Sequence, residues 1–310
     1  MNIPKVSVVG AGFVGTMTAQ RIVEHDLAHV VLVDIVEGMP QGKALDIAQS
    51  AGIEGFDVKI TGTNDFSEIR GSRIVVVTAG FARLPGMSRE ELAAKNGKII
   101  QSVTERVKTY APECILLMVT NPVDVMTQLA WKVSGFPAHR VVGMGGVLDS
   151  ARYQLFLAEE LGVAPREIEA LVLGGHGDSM VPVGRRTTLK GVPVGQLVKP
   201  ERHQAIIERT RYGGAEIIGL LKTGSAFHAP SAAVFVMVEA ILRDSKRVVP
   251  ASTYLDGQYG IRGCFIGIPV KLGAGGVEDR YEIELTAEER DALRRSAERV
   301  EKTFNELRVT

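Results

Sequence analysis

His176 stands between glycines in Gly174-Gly175-His176-Gly177-Asp178, so little neighbouring bulk keeps its imidazole from facing a cleft. A histidine whose Nδ1 is held by a carboxylate has one fixed tautomer and works as a general acid or base near neutral pH. Leu148-Asp149-Ser150-Ala151-Arg152 offers such a carboxylate, with a guanidinium three positions later on the same helical face. Taken alone, that pair reads as a surface salt bridge. The histidine turn that follows makes it a candidate relay with a cation beside it. Arg83 and Arg89 form a third cluster, in Gly80-Phe81-Ala82-Arg83-Leu84-Pro85-Gly86-Met87-Ser88-Arg89. Arginines in a Pro-Gly loop are ordinarily solvated, and nothing local separates that reading from anion binding. Asn121, in Thr120-Asn121-Pro122-Val123-Asp124, sits in an ordinary strand-to-helix turn or presents an amide to a ligand.

These side chains need a frame, and the first thirty residues supply it. Val6–Val9 is an apolar run leading into Gly10-Ala11-Gly12-Phe13-Val14-Gly15, and a second β-branched run, Val30–Val33, ends in Asp34. Gly10 permits a tight turn, Gly12 lets backbone approach a pyrophosphate, and Gly15 lets a helix pack against the strand. The helix start offers free N–H groups to phosphates, and Asp34 stands where a ribose diol is recognised. Three such glycines alone are weak. Strand, helix and acid at this spacing together predict dinucleotide binding.

The first half continues in alternation, which predicts a doubly wound parallel sheet. Helices are expected over Gln41–Ala51, Arg89–Tyr110 and Val123–Val133. Strands are expected at Asp57–Thr61, Ile74–Thr78, Ile115–Val119 and Arg140–Gly143, six in all with the first two. Arg83, Arg89 and Asn121 then follow strands at the carboxyl edge, where ligands sit in such folds. The second half predicts a helix over Asp149–Leu161, one strand Ile168–Leu173, and strand pieces at Val181–Val183 and Thr187–Leu189. A long helix over Glu201–Leu221 should kink or break at Gly213-Gly214. A helix over Ser231–Leu242 and antiparallel strands Val248–Leu255, Cys264–Val270 and Tyr281–Leu285 follow. Thr286-x-x-Glu289 is a capping box, opening a helix with the stripe Leu293, Ala297, Val300, Phe304 and Leu307. That stripe is core or a seam between subunits.

Composition bounds the function classes. The 310 residues are 45% hydrophobic and 23% charged with formal net charge zero, which disfavours nucleic acid as a partner. No apolar run reaches the length of a membrane span. Cys114 and Cys264 lie far apart in apolar runs and read as buried thiols, fitting an expected cytoplasmic location.

With these motifs in this order, the chain resembles the malate dehydrogenases of the lactate-dehydrogenase-like branch of the lactate/malate dehydrogenase superfamily, over essentially its full length. Thr78-Ala79-Gly80 and Val147–Arg152 belong to the same set. The resemblance implies an N-terminal NAD-binding Rossmann domain over 1–144 and a C-terminal α+β substrate domain over 145–310. It implies that His176 is the proton donor and acceptor, and Asp149 its orienting partner. Arg152 would clamp the C1 carboxylate of a 2-hydroxy acid, Arg83 the distal carboxylate, and Arg89 would polarise the carbonyl oxygen. Asn121 would touch substrate and nicotinamide. NAD would lie on Gly10, Ala11, Gly12, Phe13, Val14, Gly15, Asp34, Asn96, Val119, Thr120 and Asn121. The Phe81–Arg89 loop would close over the substrate. A cis Asn121–Pro122 bond and a homotetramer or homodimer are also implied, with no metal.

Two positions depart from the family pattern: Leu84, where many relatives carry Lys, and Gly97, where Ala is usual. Neither carries chemistry. Arg83 decides the substrate, because lactate dehydrogenases usually carry Gln there, suited to an apolar methyl. An unpaired, desolvated arginine would cost several kcal/mol. The expectation is therefore (S)-malate and oxaloacetate, with lactate or another 2-hydroxy acid as the alternative. An NAD-dependent glycosidase would need a Cys/His metal motif and a longer chain. A non-catalytic NAD sensor would leave His176, Asp149 and three arginines without a role.

Overall fold

β-Branched runs occupy the centre of the sheet because strands with helices on both faces meet no water on either side. The computed structural model describes residues 3–81, 87 and 89–307. The chain runs β1 (Lys5–Val9), α1 (Phe13–Glu24), β2 (His29–Val33), α2 (Met39–Gln49), a short α3 (Ala51–Glu54) and β3 (Ile60–Thr63). It continues through β4 (Ile74–Val77), α4 (Arg89–Tyr110), β5 (Ile115–Met118), α5 (Val123–Ser134) and β6 (Val141–Gly143). These six strands are parallel in the order β3-β2-β1-β4-β5-β6. The order reverses between β1 and β4, whose carboxyl ends open the crevice such sheets use for ligands. All four residues of β4 and of β5 are buried.

The second half adds α6 (Gly146–Leu161), β7 (Ile168–Glu169), β8 (Val172–Leu173), β9 (Val181–Pro182), β10 (Thr188–Leu189) and β11 (Val192–Pro193). Then come α7 (Pro200–Leu221), α8 (His228–Leu242), β12 (Arg247–Asp256), β13 (Arg262–Gly273), β14 (Gly276–Arg280) and α9 (Ala287–Glu306). The last three strands pair antiparallel, as expected. They do not form a sheet of their own. Ser252 of β12 pairs with Gly143 of β6, so a nine-stranded sheet runs from one half into the other. Gly143 suits that junction: a Cβ there would stand 2.4 Å from Thr127 Oγ1 and 2.9 Å from Ser252 Cβ.

Four local expectations change, the first being the strand expected at Asp57–Thr61, which is Ile60–Thr63. The single strand over Ile168–Leu173 is two, because Ile168–Glu169 pairs with β10 and Val172–Leu173 with β9. The last strand is Gly276–Arg280, not Tyr281–Leu285. Tyr281 still donates its N–H to Pro269, but a proline has no N–H to return, and the ladder ends there. The helix over Glu201–Leu221 is continuous through Gly213-Gly214. These glycines make room: a Cβ on Gly213 would meet Arg152 Cδ at 3.3 Å, and one on Gly214 would meet Arg152 Nη2 at 3.4 Å. At the chain's end Thr286 and Glu289 cap α9 reciprocally, and Leu293, Ala297 and Val300 are buried against the core. The stripe is core.

Candidate active site

The glycine loop is built as its spacing requires. Gly10 has φ of 106°, a conformation that favours glycine, and a Cβ there would press on Ala79 at 2.6 Å. A Cβ on Gly15 would lie 1.8 Å from the Gly10 carbonyl, so helix and turn touch backbone to backbone. Gly12 is different: among the described residues nothing lies within 4 Å of a Cβ placed on it. Its open face is a cradle for a ligand. The first intrahelical bond of α1 is Thr16 N–H to the Gly12 carbonyl, which leaves the N–H groups of Phe13, Val14 and Gly15 ahead of the ladder. Asp34 at the end of β2 accepts the Ala11 N–H at 2.6 Å and the Val36 N–H at 3.0 Å. Lys43 of α2 reaches the other side of the same residue, with Nζ 2.5 Å from the Ala11 carbonyl oxygen. These groups fit a dinucleotide: an uncovered backbone for the pyrophosphate and a carboxylate for a diol.

The edge beside β4 and β5 is held by Asn96 of α4. Its amide accepts the Phe81 N–H at 2.8 Å and donates to the carbonyls of Phe81 at 3.2 Å and Asn121 at 2.7 Å. The side chain is fully buried. Asn96 therefore ties the segment after β4 to the segment after β5. Val119 and Thr120 are buried, Val119 N–H bonding Val77 and the Thr120 hydroxyl bonding Ala79. Asn121 is exposed at this edge, and its bond to Pro122 is cis. Arg83 and the side chain of Arg89 lie outside the described residues, as does most of the loop between Phe81 and α4.

The candidate relay comes from two elements. α6 carries Asp149, 1% exposed, and Arg152 one turn later, with Arg152 Nη1 3.5 Å from Asp149 Oδ1. His176 belongs to the turn between β8 and β9, and its Nδ1 lies 2.8 Å from Asp149 Oδ2. That turn is anchored from two directions. Gly174 exchanges backbone bonds with Gly267 of β13, and the Gly175 N–H bonds the Ser296 hydroxyl of α9. Burial lowers the Arg152 guanidinium from its ordinary value, opposed by the Asp149 carboxylate. Its Nε is buried without a hydrogen-bond partner among the described residues.

Asp124 was not singled out by sequence reasoning. In the first turn of α5, 4% exposed, its Oδ2 accepts the His176 backbone N–H at 2.8 Å. Burial pushes its carboxyl up from the ordinary value of 3.8. The signal available was an acid three residues after Asn121, which reads equally as a charge complementing the helix dipole. The partner 52 residues away is what distinguishes it.

No described helix is long and apolar enough to cross a membrane. Two family models match in tandem: lactate/malate dehydrogenase, NAD binding domain, over residues 4–143, and lactate/malate dehydrogenase, alpha/beta C-terminal domain, over 146–308. The chain is 54% identical over 306 residues to a malate dehydrogenase of Roseiflexus sp. (strain RS-1), covering 99% of both. The structure matches a Cryptosporidium parvum malate dehydrogenase with TM-score 0.97 at 40% identity, covering 99% of each chain. A lactate dehydrogenase of the same organism, complexed with lactic acid and NAD, matches with TM-score 0.97 at 41% identity, over 100% of this chain and 99% of that one. The glycine loop with its carboxylate, the nine-stranded sheet and these matches agree: the chain belongs to the lactate/malate dehydrogenase family and is an NAD-dependent oxidoreductase.

Proposed function

We propose that this protein catalyses the reversible NAD-dependent oxidation of (S)-malate to oxaloacetate, with His176 and Asp149 as the proton relay. The observation that carries the reading is the 2.8 Å contact of His176 Nδ1 with Asp149 Oδ2, one helical turn from Arg152. Bound along Gly10–Gly15 and Asp34, NAD supplies the two-electron acceptor for the hydride at C2. In oxidation His176 Nε2 takes the hydroxyl proton; in reduction it gives that proton back. Asp149 keeps Nδ1 protonated, so Nε2 is the atom that exchanges. Arg152 holds the C1 carboxylate, Arg83 the distal carboxylate, and Arg89 polarises the C2 oxygen. Asn121 would touch substrate and nicotinamide, and Asn96 holds its carbonyl. The loop carrying Arg83 closes over the substrate and excludes water.

A lactate reading is favoured by the likeness to a lactate dehydrogenase. Arg83 weighs against it, because a methyl-bearing substrate would leave that guanidinium desolvated and unpaired. The comparison of kcat/KM for oxaloacetate and for pyruvate decides. A preference for pyruvate would overturn the malate reading. The tandem family matches support a boundary near 144/145 between cofactor and substrate domains. Exposed Leu45 and Ile53 on α2 and α3 support assembly into a homotetramer or homodimer, which light scattering would count. Buried free thiols support a cytoplasmic location.

A further inference from the structure

His176 is held at two points, and only one of them is its ring. Asp149 meets Nδ1 from α6; Asp124 meets the backbone N–H from α5. A backbone N–H needs an acceptor, not a charge, so Asn or Ser at position 124 would satisfy it without the penalty of burying a carboxylate. Among the described residues no lysine or arginine forms an ion pair with Asp124. The groups that act on it are His176, the Asp149 carboxylate, and the buried hydroxyl of Ser252 from β12. The thiol of Cys264 on β13 lies within its field. A carboxylate facing a histidine, a second carboxylate and no strong cation is expensive for the fold.

We propose that Asp124 is a positioning residue of the proton relay: its carboxyl group fixes the His176 backbone and, in its ionised form, places a second negative charge beside the imidazole. This rests on the acid/base role given to His176 above. Two anchors define the place of Nε2 where one ring contact leaves rotation about it. The N–H bond to a carboxylate is charge-assisted and short. Asp124 also follows Asn121 by one helical start, so one rigid element sets both the amide at the substrate and the backbone of the base.

The test uses full-length Asp124→Asn and Asp124→Ala, with His176→Asn as reference. kcat and KM for oxaloacetate reduction, NADH affinity, and the pH profile of kcat/KM are measured for each. Asp124→Asn keeps an acceptor and loses the charge. We expect kcat down about 10-fold, NADH affinity unchanged, and the alkaline midpoint of the profile moved to lower pH. Asp124→Ala should fall further, about 100-fold, since the N–H is left without a partner. If Asp124→Asn keeps both the wild-type rate and the wild-type midpoint, or loses rate with the midpoint unmoved, the proposal is overturned. Should Asp124→Ala fail to fold, Asp124→Asn decides alone. An active His176→Asn would instead overturn the relay itself, and the proposal with it. An inactive one beside an unmoved Asp124→Asn overturns only the role of Asp124.

Discussion

The Asp34 carboxylate and the Ala11 N–H are joined at 2.6 Å, so the acid at the end of β2 and the glycine loop form one piece. Lys43 holds the Ala11 carbonyl from the far side. Asp34 cannot turn away from a 2′-phosphate without releasing the loop. NADP should therefore be a poor cofactor, and Asp34→Ser should narrow the preference for NAD by at least about 10-fold, or ~1.4 kcal/mol. Equal kcat/KM with both cofactors in the wild type would remove Asp34 from this role.

With the acid/base role proposed for His176, oxaloacetate reduction would need it charged and malate oxidation would need it neutral. The reductive rate should fall and the oxidative rate should rise as pH increases through the same titration. His176→Asn should retain NADH binding and lose nearly all turnover in both directions. Parallel pH profiles for the two directions would move the acid/base role to another group.

Arg83 and Arg152 should separate the two ends of the substrate. Removing one member of a buried charge pair costs about 3–5 kcal/mol. Arg83→Gln should accordingly cut kcat/KM for oxaloacetate by about 10²–10⁴ while pyruvate gains. Arg152→Gln should hurt both keto acids, because each carries the C1 carboxylate. Equal losses for the two substrates in Arg83→Gln would mean that Arg83 does not select.

Asp124 should cost stability at neutral pH. Its folded-state carboxyl lies above the ordinary 3.8, so the folded chain binds that proton more tightly than the unfolded chain. The contribution is therefore most favourable below the unfolded value and is lost as pH rises through the folded one. Asp124→Asn should match the wild-type Tm near pH 4 and exceed it once pH has risen through the Asp124 titration. A Tm deficit that grows with pH would show that the carboxylate stabilises the fold.

The two thiols should be silent in the folded protein. Cys114 and Cys264 are buried, and burial pushes each up to about 12. At pH 8 neither forms appreciable thiolate, the form that alkylates. Iodoacetamide should label none in buffer and both in denaturant, read by intact mass.

Local pattern carried the parallel half of the fold. The run Ile74–Val77 and the glycine spacing each admit few alternatives, and α4 begins and ends as its sequence indicates. Where readings failed, a distant residue decided. Tyr281–Leu285 alternates like a strand, but Pro269 across the ladder cannot answer it. Gly213-Gly214 resembles a break, yet the space it leaves holds Arg152. The site divides in the same way. His176, Asp149 and Arg152 carry their chemistry in their own types, whereas Asp124 is an ordinary first-turn acid until the fold brings His176 to it.

The pairing of Ser252 with Gly143 also makes the covering of β6 depend on a strand synthesised much later. β6 is the edge of the parallel half until β12 covers it, and β12 begins at Arg247, about a hundred residues after β6 ends. At roughly 5–20 residues per second, that edge waits on the order of 5–20 s on the ribosome. An open strand edge is a template for other chains. A parallel half that folded before β12 was made would carry this open edge, and translation speed through α6–α8 would set for how long.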